Sequence, residues 1–203
     1  MKWLEIEVKL RESGFRLFTA REFRQVTGSG AVAAKFQLIR YTRRGLLRRL
    51  KRGFYALSSR MPSKWGIANR LYGPSYISLA SALSYYGLIP ESVYAVTSIT
   101  TKSTREFEAG GAAYAYRTVK SGAFGGYKGV ELGGETVLLA EKEKALADYF
   151  YFVFLKKERL NGRLSLRGAN TRRLEGYLRD FKNKRLMDWY RHDLKIGNRE
   201  PER

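Results

Sequence analysis

Residues 19–57 read TAREFRQVTGSGAVAAKFQLIRYTRRGLLRRLKRGFYAL, and this stretch decides the fold of the first part of the chain. Thr19 and Glu22 have the spacing of a capping box, which starts a helix by satisfying two backbone N–H groups reciprocally. The GSG turn at 28–30 ends that short helix, and we expect another helix over 31–44, ended by Gly45 in a left-handed conformation. The segment 46–57 then predicts a β-hairpin, with two short strands joined by a tight basic turn.

The segment before this stretch completes the pattern. Apolar residues alternate with polar ones from Leu4 to Leu10, which is compatible with a strand, but the helix-forming residues favour a helix over 2–12. Ser13 and Gly14 end it. A helix, a short helix, a turn, a third helix and a hairpin follow one another in a winged helix-turn-helix, a DNA-binding fold.

The predicted third helix has two stripes with helical spacing. Ala31, Ala34, Leu38 and Tyr41 form the stripe that we expect to be buried. The other stripe contains Gln37, Arg40 and Arg44, side chains that hydrogen-bond to adenine and guanine edges in the major groove. Lys35 and Arg43 flank it and could contact phosphates, as could the hairpin. The predicted DNA-binding residues are Ser29, Lys35, Gln37, Arg40, Arg43, Arg44, Arg48, Arg49, Lys51 and Arg52.

The charge of the chain supports a polyanionic partner. The 203 residues carry a net charge of +20, with 15 basic and 4 acidic residues in 1–60, 9 and 8 in 61–155, and 15 and 7 in 156–203. No acidic residue occurs between Glu22 and Glu91, whereas an ordinary surface mixes both signs. The chain has no cysteine and a single histidine, His192, which excludes a disulfide framework, a thiol nucleophile and a cysteine-ligated metal. Double-stranded DNA is therefore the expected partner.

The rest of the chain predicts an α+β domain with a mainly antiparallel sheet and C-terminal helices. After a linker over 58–66, Ser78 caps a helix that Gly87 ends. We expect strands over 93–100, 113–119, 127–132 and 136–139, and then a helix that begins near Glu141. The basic tail, 156–203, is either a second phosphate-facing surface or a set of solvated helix faces. The predicted domains are 1–60, a winged helix, and 61–203, which divides into a neutral core, 61–155, and the tail.

Three motifs resemble the AbiEi family, the antitoxins of abortive-infection type IV toxin–antitoxin systems. They are GLLRRLKRGFYAL at 45–57, YISLASAL at 76–83 with GLIP at 87–90, and AE at 140–141 followed by EKALAD at 143–148. The resemblance implies an N-terminal domain that represses its own operon by binding inverted repeats in the promoter. It also implies a C-terminal domain that counters a nucleotidyltransferase-like toxin, without the need for a stable complex between the two proteins.

Enzymatic interpretations have weaker support. A metal-dependent nuclease could use the Glu7-Val8-Lys9 triplet, but no Pro-Asp pair precedes it. The acids between 131 and 148 could hold Mg²⁺, although the simpler interpretation of Glu141 and Glu143 is a helix start. The glycines of 122–129 lack the Gly-Lys-Ser/Thr ending of a phosphate loop. We therefore predict no catalytic residue, no metal site, no cofactor and no enzymatic activity.

The sequence also bears on the location of the protein and on an alternative function. No run of about 18 apolar residues is present, so we expect a cytoplasmic protein without a membrane partner. The alternative to a repressor and antitoxin is a general nucleic-acid-binding protein, for DNA or structured RNA, that has no toxin partner.

Overall fold

The computed structural model describes residues 2–194. Its N-terminal part consists of three helices and a small sheet whose strand order is β1-β3-β2, with both pairings antiparallel. These elements are α1 (Trp3–Glu12), β1 (Leu17–Thr19), α2 (Ala20–Thr27), α3 (Ala31–Arg43), β2 (Leu47–Lys51) and β3 (Phe54–Leu57). This is the predicted winged helix-turn-helix, with β1 as an additional strand.

Local sequence signals account for this part. The Thr19–Glu22 capping box is present, with the Thr19 N–H donating to Glu22 Oε2 over 2.8 Å and the Glu22 N–H donating to Thr19 Oγ1 over 3.2 Å. Gly28 ends α2 in the left-handed region at φ 68°, where a side chain would be strained. The turn that separates α2 from α3 is therefore fixed by residues within it.

The C-terminal part, residues 64–194, surrounds a six-stranded sheet of order β6-β7-β5-β4-β9-β8. Its elements up to the tail are α4 (Lys64–Leu71), β4 (Ser75–Ile77), α5 (Leu79–Tyr85), β5 (Ala95–Thr100), β6 (Arg105–Ala109), β7 (Ala112–Thr118), β8 (Tyr127–Leu132), β9 (Glu135–Ala140) and α6 (Lys142–Phe154). Three of the five strand pairings are antiparallel, and the pairings β5–β7 and β4–β9 are parallel. The α+β class is confirmed, and the sheet is mixed.

The tail continues as helices, as predicted. It contains α7 (Thr171–Asp180), α8 (Lys184–Asp188) and a π-helical turn (Trp189–Asp193). Leu174, Leu178 and Leu186 are buried against the main hydrophobic core. The apolar side of the tail therefore belongs to the fold of the C-terminal part.

Two predictions about residues between 58 and 90 were wrong. The expected linker contains the start of α4. The Ser63 side chain caps this helix by accepting from the Gly66 N–H over 2.9 Å, and the helix buries Ile67, Ala68 and Leu71. Ser78 precedes α5, but its hydroxyl makes no cap and instead donates to Asp148 Oδ2 over 2.8 Å. The burial of α4 and the Ser78–Asp148 hydrogen bond are tertiary contacts, whereas the Ser63 cap is a local signal within the expected linker.

The winged helix packs against the C-terminal part through two arginine side chains and a shared hydrophobic cluster. Arg16 Nη2 donates to the carbonyls of Gly133 and Gly134, over 3.1 and 2.6 Å. Arg70 on α4 pairs with Glu22 on α2 at 2.5 Å. Leu17, Leu50 and Ala56, from the small sheet, are buried in the larger hydrophobic cluster.

Candidate nucleic-acid interface

One side of α3 forms the core of the winged helix. Ala34, Leu38 and Tyr41 are buried together with residues of α1 and α2, as the first stripe predicted. The prediction was wrong for Ala31, which is exposed because it is the first residue of α3, at the end of the helix. The Trp3 and Tyr41 rings, with centroids 4.6 Å apart, join α1 to α3. The opposite side of α3 is exposed.

Two residues of the second predicted stripe, Gln37 and Arg40, make contacts that hold their side chains against the flank of α3. Ser29 Oγ donates to Gln37 Oε1 over 3.0 Å, which ties the turn before α3 to the middle of the helix. Arg40 Nη2 donates to Tyr41 Oη over 3.1 Å, and its guanidinium lies 4.9 Å from the Tyr41 ring centroid. Gln37 and Arg40 therefore lie on the flank of α3, and the side opposite the core carries Arg43.

The hairpin presents arginines on strand β2. Leu47 and Leu50 are buried and Arg48 and Arg49 between them are exposed, because a bulge between Arg49 and Lys51 shifts the register. Such a bulge lets two neighbouring side chains of one strand face solvent. The edge strand of the small sheet is therefore basic.

Lys51 does not extend freely from the tip of the hairpin. Its Nζ lies 3.1 Å from the centroid of the Phe107 ring on β6, in a cation–π contact. Burial, with a smaller contribution from the charge of Arg105, lowers the pKa of Lys51. Lys51 thus attaches the hairpin to the C-terminal part, while Arg52 next to it is exposed.

Six of the predicted residues are exposed and have neither a carboxylate partner nor a side-chain hydrogen bond or ring contact in residues 2–194; we call them the unpaired basic set. Its members are Lys35, Arg43, Arg44, Arg48, Arg49 and Arg52. In the tail, by contrast, Arg163 pairs with Glu91, Arg173 with Glu141, and Arg179 with Glu175. On α3 and the hairpin, no basic side chain within the described residues pairs with a carboxylate, and phosphate contacts there would release counterions.

The sequence analysis missed the apolar residues on the exposed side of α3. Val32, Phe36 and Ile39 are 70%, 65% and 40% exposed. Their spacing of four and three residues is helical, and places them opposite the buried stripe. Helical spacing predicts which positions lie opposite Ala34, Leu38 and Tyr41, and those positions include these three apolar residues. The prediction instead chose arginine and glutamine because of their residue type.

The acids that were considered for Mg²⁺ have other partners. Glu135 accepts from the Ser63 N–H over 2.5 Å, Glu141 pairs with Arg173, and Glu143 accepts from the Asn170 N–H over 3.0 Å. Among the residues that the structure describes, no group of three or more His, Asp or Glu side chains is arranged to hold a metal ion.

Asp148 belongs to a buried polar network in the C-terminal part. Lys144 Nζ lies 2.7 Å from Asp148 Oδ1, and Asp148 Oδ2 accepts from Tyr76 Oη over 3.0 Å and from Ser78 Oγ over 2.8 Å. Lys144 also donates to the Ala123 carbonyl over 2.7 Å. Burial raises the pKa of the Asp148 carboxyl, against the opposite effect of Lys144 and the two hydroxyls. This network joins the second and third sequence motifs.

None of the helices within residues 2–194 combines the length and apolarity needed to cross a bilayer.

Comparison with known proteins bears on the N-terminal part of the chain. Residues 5–58 match the family model described as "Transcriptional regulator, AbiEi antitoxin". The predicted resemblance is confirmed over this segment, which runs from α1 to the end of the hairpin. No curated protein matches the chain.

Proposed function

Because residues 5–58 match a model of AbiEi antitoxin regulators, we propose that this protein is a DNA-binding repressor of its own operon and the antitoxin of a type IV pair. The single observation that supports DNA binding best is the unpaired basic set on α3 and the hairpin. Six arginine and lysine side chains without carboxylate partners in residues 2–194 suit a phosphate backbone better than a protein surface of mixed charge.

We propose that the parts of the chain before and after about residue 60 have different functions. Residues 1–60 bind double-stranded DNA, through the unpaired basic set with Ser29, Gln37 and Arg40 on the flank of α3. Lys51 holds the hairpin against Phe107, so that the position of the arginines on β2 is fixed relative to the C-terminal part. Residues 61–203 carry the antitoxin activity, and no residue acts as a catalyst. The protein acts in the cytoplasm, where its operator is.

The test of DNA binding is protection of the promoter upstream of its own gene. Full-length protein should protect an inverted repeat there, and the protection should be lost in the Arg43→Ala/Arg44→Ala variant. If about six phosphates are neutralised, the logarithm of the binding constant falls with the logarithm of salt concentration at a slope near −5. Equal binding to all sequences at physiological salt would contradict the repressor function and favour a general nucleic-acid-binding protein.

The antitoxin function needs a separate test. We propose that the C-terminal part counters a nucleotidyltransferase-like toxin without forming a stable complex with it. Co-expression of such a toxin, encoded beside this gene, with full-length protein should restore growth. The Arg43→Ala/Arg44→Ala variant, expressed from a foreign promoter, should also restore growth, because repression and neutralisation use different residues. Failure of every pairing to restore growth would contradict this part of the proposal.

A further inference from the structure

Val32, Phe36 and Ile39 form an apolar ridge along the exposed side of α3. Three large apolar side chains in one helical row on the surface are unlike single exposed residues, which occur on most proteins. Arg43 continues the same row by one more helical turn, and Lys35 lies next to it; both are exposed, with no carboxylate partner among the described residues. The ridge is therefore apolar at its centre and basic at its borders.

The charge around the ridge decides between the partners that could cover it. A second copy of this chain would bring two surfaces together from segments that each carry 15 basic and 4 acidic residues, and like charges repel. A DNA groove has phosphates along both sides, which suit the basic borders, and base edges between them. On the edges of the major groove, the C5-methyl of thymine is the apolar group that a side chain can contact.

We propose that the apolar ridge contacts thymine methyl groups, so that the DNA recognised by α3 carries thymines along the contact. This inference rests on the proposed function, since it concerns how the same helix chooses its sequence. A helix rises 1.5 Å per residue, so Val32 and Ile39 are about 10 Å apart along the axis, which corresponds to about three base-pair steps. The thymines are expected on either strand within that span.

The proposal predicts a particular kind of sequence preference. Val32 and Phe36 lie in the first two turns of α3, and it is the first turns of a recognition helix that contact base edges. Contacts between apolar side chains and methyl groups favour thymine over the other bases, although these side chains form no hydrogen bond with the base. Arg43 and Lys35 at the borders contribute affinity through phosphates, and the ridge contributes the choice of bases.

Replacing thymine by uracil tests the inference directly, because uracil lacks only the methyl group. Full-length protein would first select its preferred duplex from a random-sequence library. The selected duplex would then be synthesised with deoxyuridine at one thymine at a time, and binding measured by fluorescence anisotropy. We expect the affinity to fall about fourfold for each contacted methyl, and to remain unchanged at the other thymines.

A double-mutant cycle assigns the loss to the ridge. In Phe36→Ala protein the uracil at the position beneath Phe36 should no longer weaken binding, since the contact is already gone. Leu4→Ala is the matched control, because Leu4 is an apolar residue of α1 that is 71% exposed. It should retain the full sensitivity to uracil, as should wild-type protein.

Several outcomes would overturn the inference. Selection of a defined sequence that binds equally well with thymine or uracil would overturn it and leave the proposed function standing. Unchanged uracil sensitivity in both Phe36→Ala and Val32→Ala, or a Phe36→Ala protein that binds normally but changes from dimer to monomer, would assign the ridge to another role. Selection of no preferred sequence would overturn the proposed function as well, and is distinguished by the first step of the experiment.

Discussion

Lys144 and Asp148 are the residues through which two distant sequence motifs meet. Both side chains are almost fully buried, at 1% and 0% exposure, and Lys144 Nζ is 4.8 Å from the centroid of the Phe181 ring. Isolated charges cannot be buried at such depth without partners, so Tyr76, Ser78 and the Ala123 carbonyl complete the network. The pair holds α6 against β4 and against the loop before β8.

Removing one charge of this pair should be costly. Asp148→Asn leaves the Lys144 ammonium buried without its carboxylate, and we expect the free energy of unfolding to fall by about 3–5 kcal/mol. Arg179→Ala is a suitable control, since it breaks an exposed pair with Glu175 at the same spacing of four residues and should cost less than about 1 kcal/mol. Urea denaturation followed by circular dichroism measures both. Similar losses for the two variants would contradict the structural role of the buried pair.

Gly126 and Gly125 provide a second test at the level of single residues. A Cβ on Gly126 would lie 2.6 Å from Tyr177 Cε1 and 3.0 Å from Lys144 Cγ, and the backbone has φ +67°. A Cβ on Gly125 would meet nothing within 4 Å. We expect Gly126→Ala to lower the free energy of unfolding by about 2 kcal/mol or more and Gly125→Ala to change it by less than about 0.5 kcal/mol. Equal stability of the two variants in urea would show that α7 packs differently.

Among the elements, those with local signals were predictable and those formed by tertiary contacts were not. The capping box at Thr19 and the glycine at 28 define α2 without help from the rest of the chain. The strands β4 and β6 lack such signals, because neighbouring strands in the C-terminal part stabilise them. The helix α4 does have a local signal, the Ser63 cap, which lies inside the segment that was predicted as a linker. The apolar ridge of α3 was missed for a different reason, since the prediction considered which side of the helix is buried and did not extend to the residues opposite it.

Glu22 links α2 to α4 through its ion pair with Arg70, and its ionisation makes part of the folding stability depend on pH. Burial acts to raise the pKa of Glu22, but hydrogen bonds from the Thr19 N–H and from Arg70 outweigh it, and the pKa is lowered from 4.5. A carboxyl with a lowered pKa stabilises the folded state above its unfolded pKa, and the contribution is lost as the pH falls through the folded value.

The Glu22→Gln variant tests this coupling. Glutamine can keep the capping box but not the ion pair with Arg70, so stability at pH 7 should fall by less than about 1 kcal/mol. Because the variant no longer titrates at this position, its stability should change less between pH 7 and pH 3 than that of wild-type protein. Glu12→Gln, at an exposed end of α1, serves as the control. A variant with the same pH dependence as wild type, in urea titrations, would contradict the assignment.

Across the whole molecule, the two basic regions differ in how many of their side chains pair with carboxylates. The amino-acid composition alone cannot show this difference. Four arginines of the tail are paired with carboxylates, and its leucines are buried in the core. Other exposed bases of the tail, among them Arg167 and Arg172, have no carboxylate partner among the described residues. On α3 and the hairpin, the unpaired basic set has no such partners within residues 2–194. The tail therefore mixes paired and unpaired bases, whereas α3 and the hairpin carry no paired base within the described residues. The sequence alone could not show this pairing, because Glu91 and Glu141 approach the tail from other elements.

We propose that the unpaired basic set on α3 and the hairpin takes part in binding a specific DNA sequence. The most direct measurement is titration of the promoter duplex and of a scrambled duplex with three full-length proteins. These are wild type, Arg43→Ala/Arg44→Ala, and Arg167→Ala/Arg172→Ala, the last removing exposed tail arginines that also have no carboxylate partner among the described residues. We predict preference for the promoter in wild type and in the tail variant, and loss of about tenfold or more in affinity for the α3 variant. Equal weakening by the two variants, or no preference for the promoter in wild type, would contradict the claim.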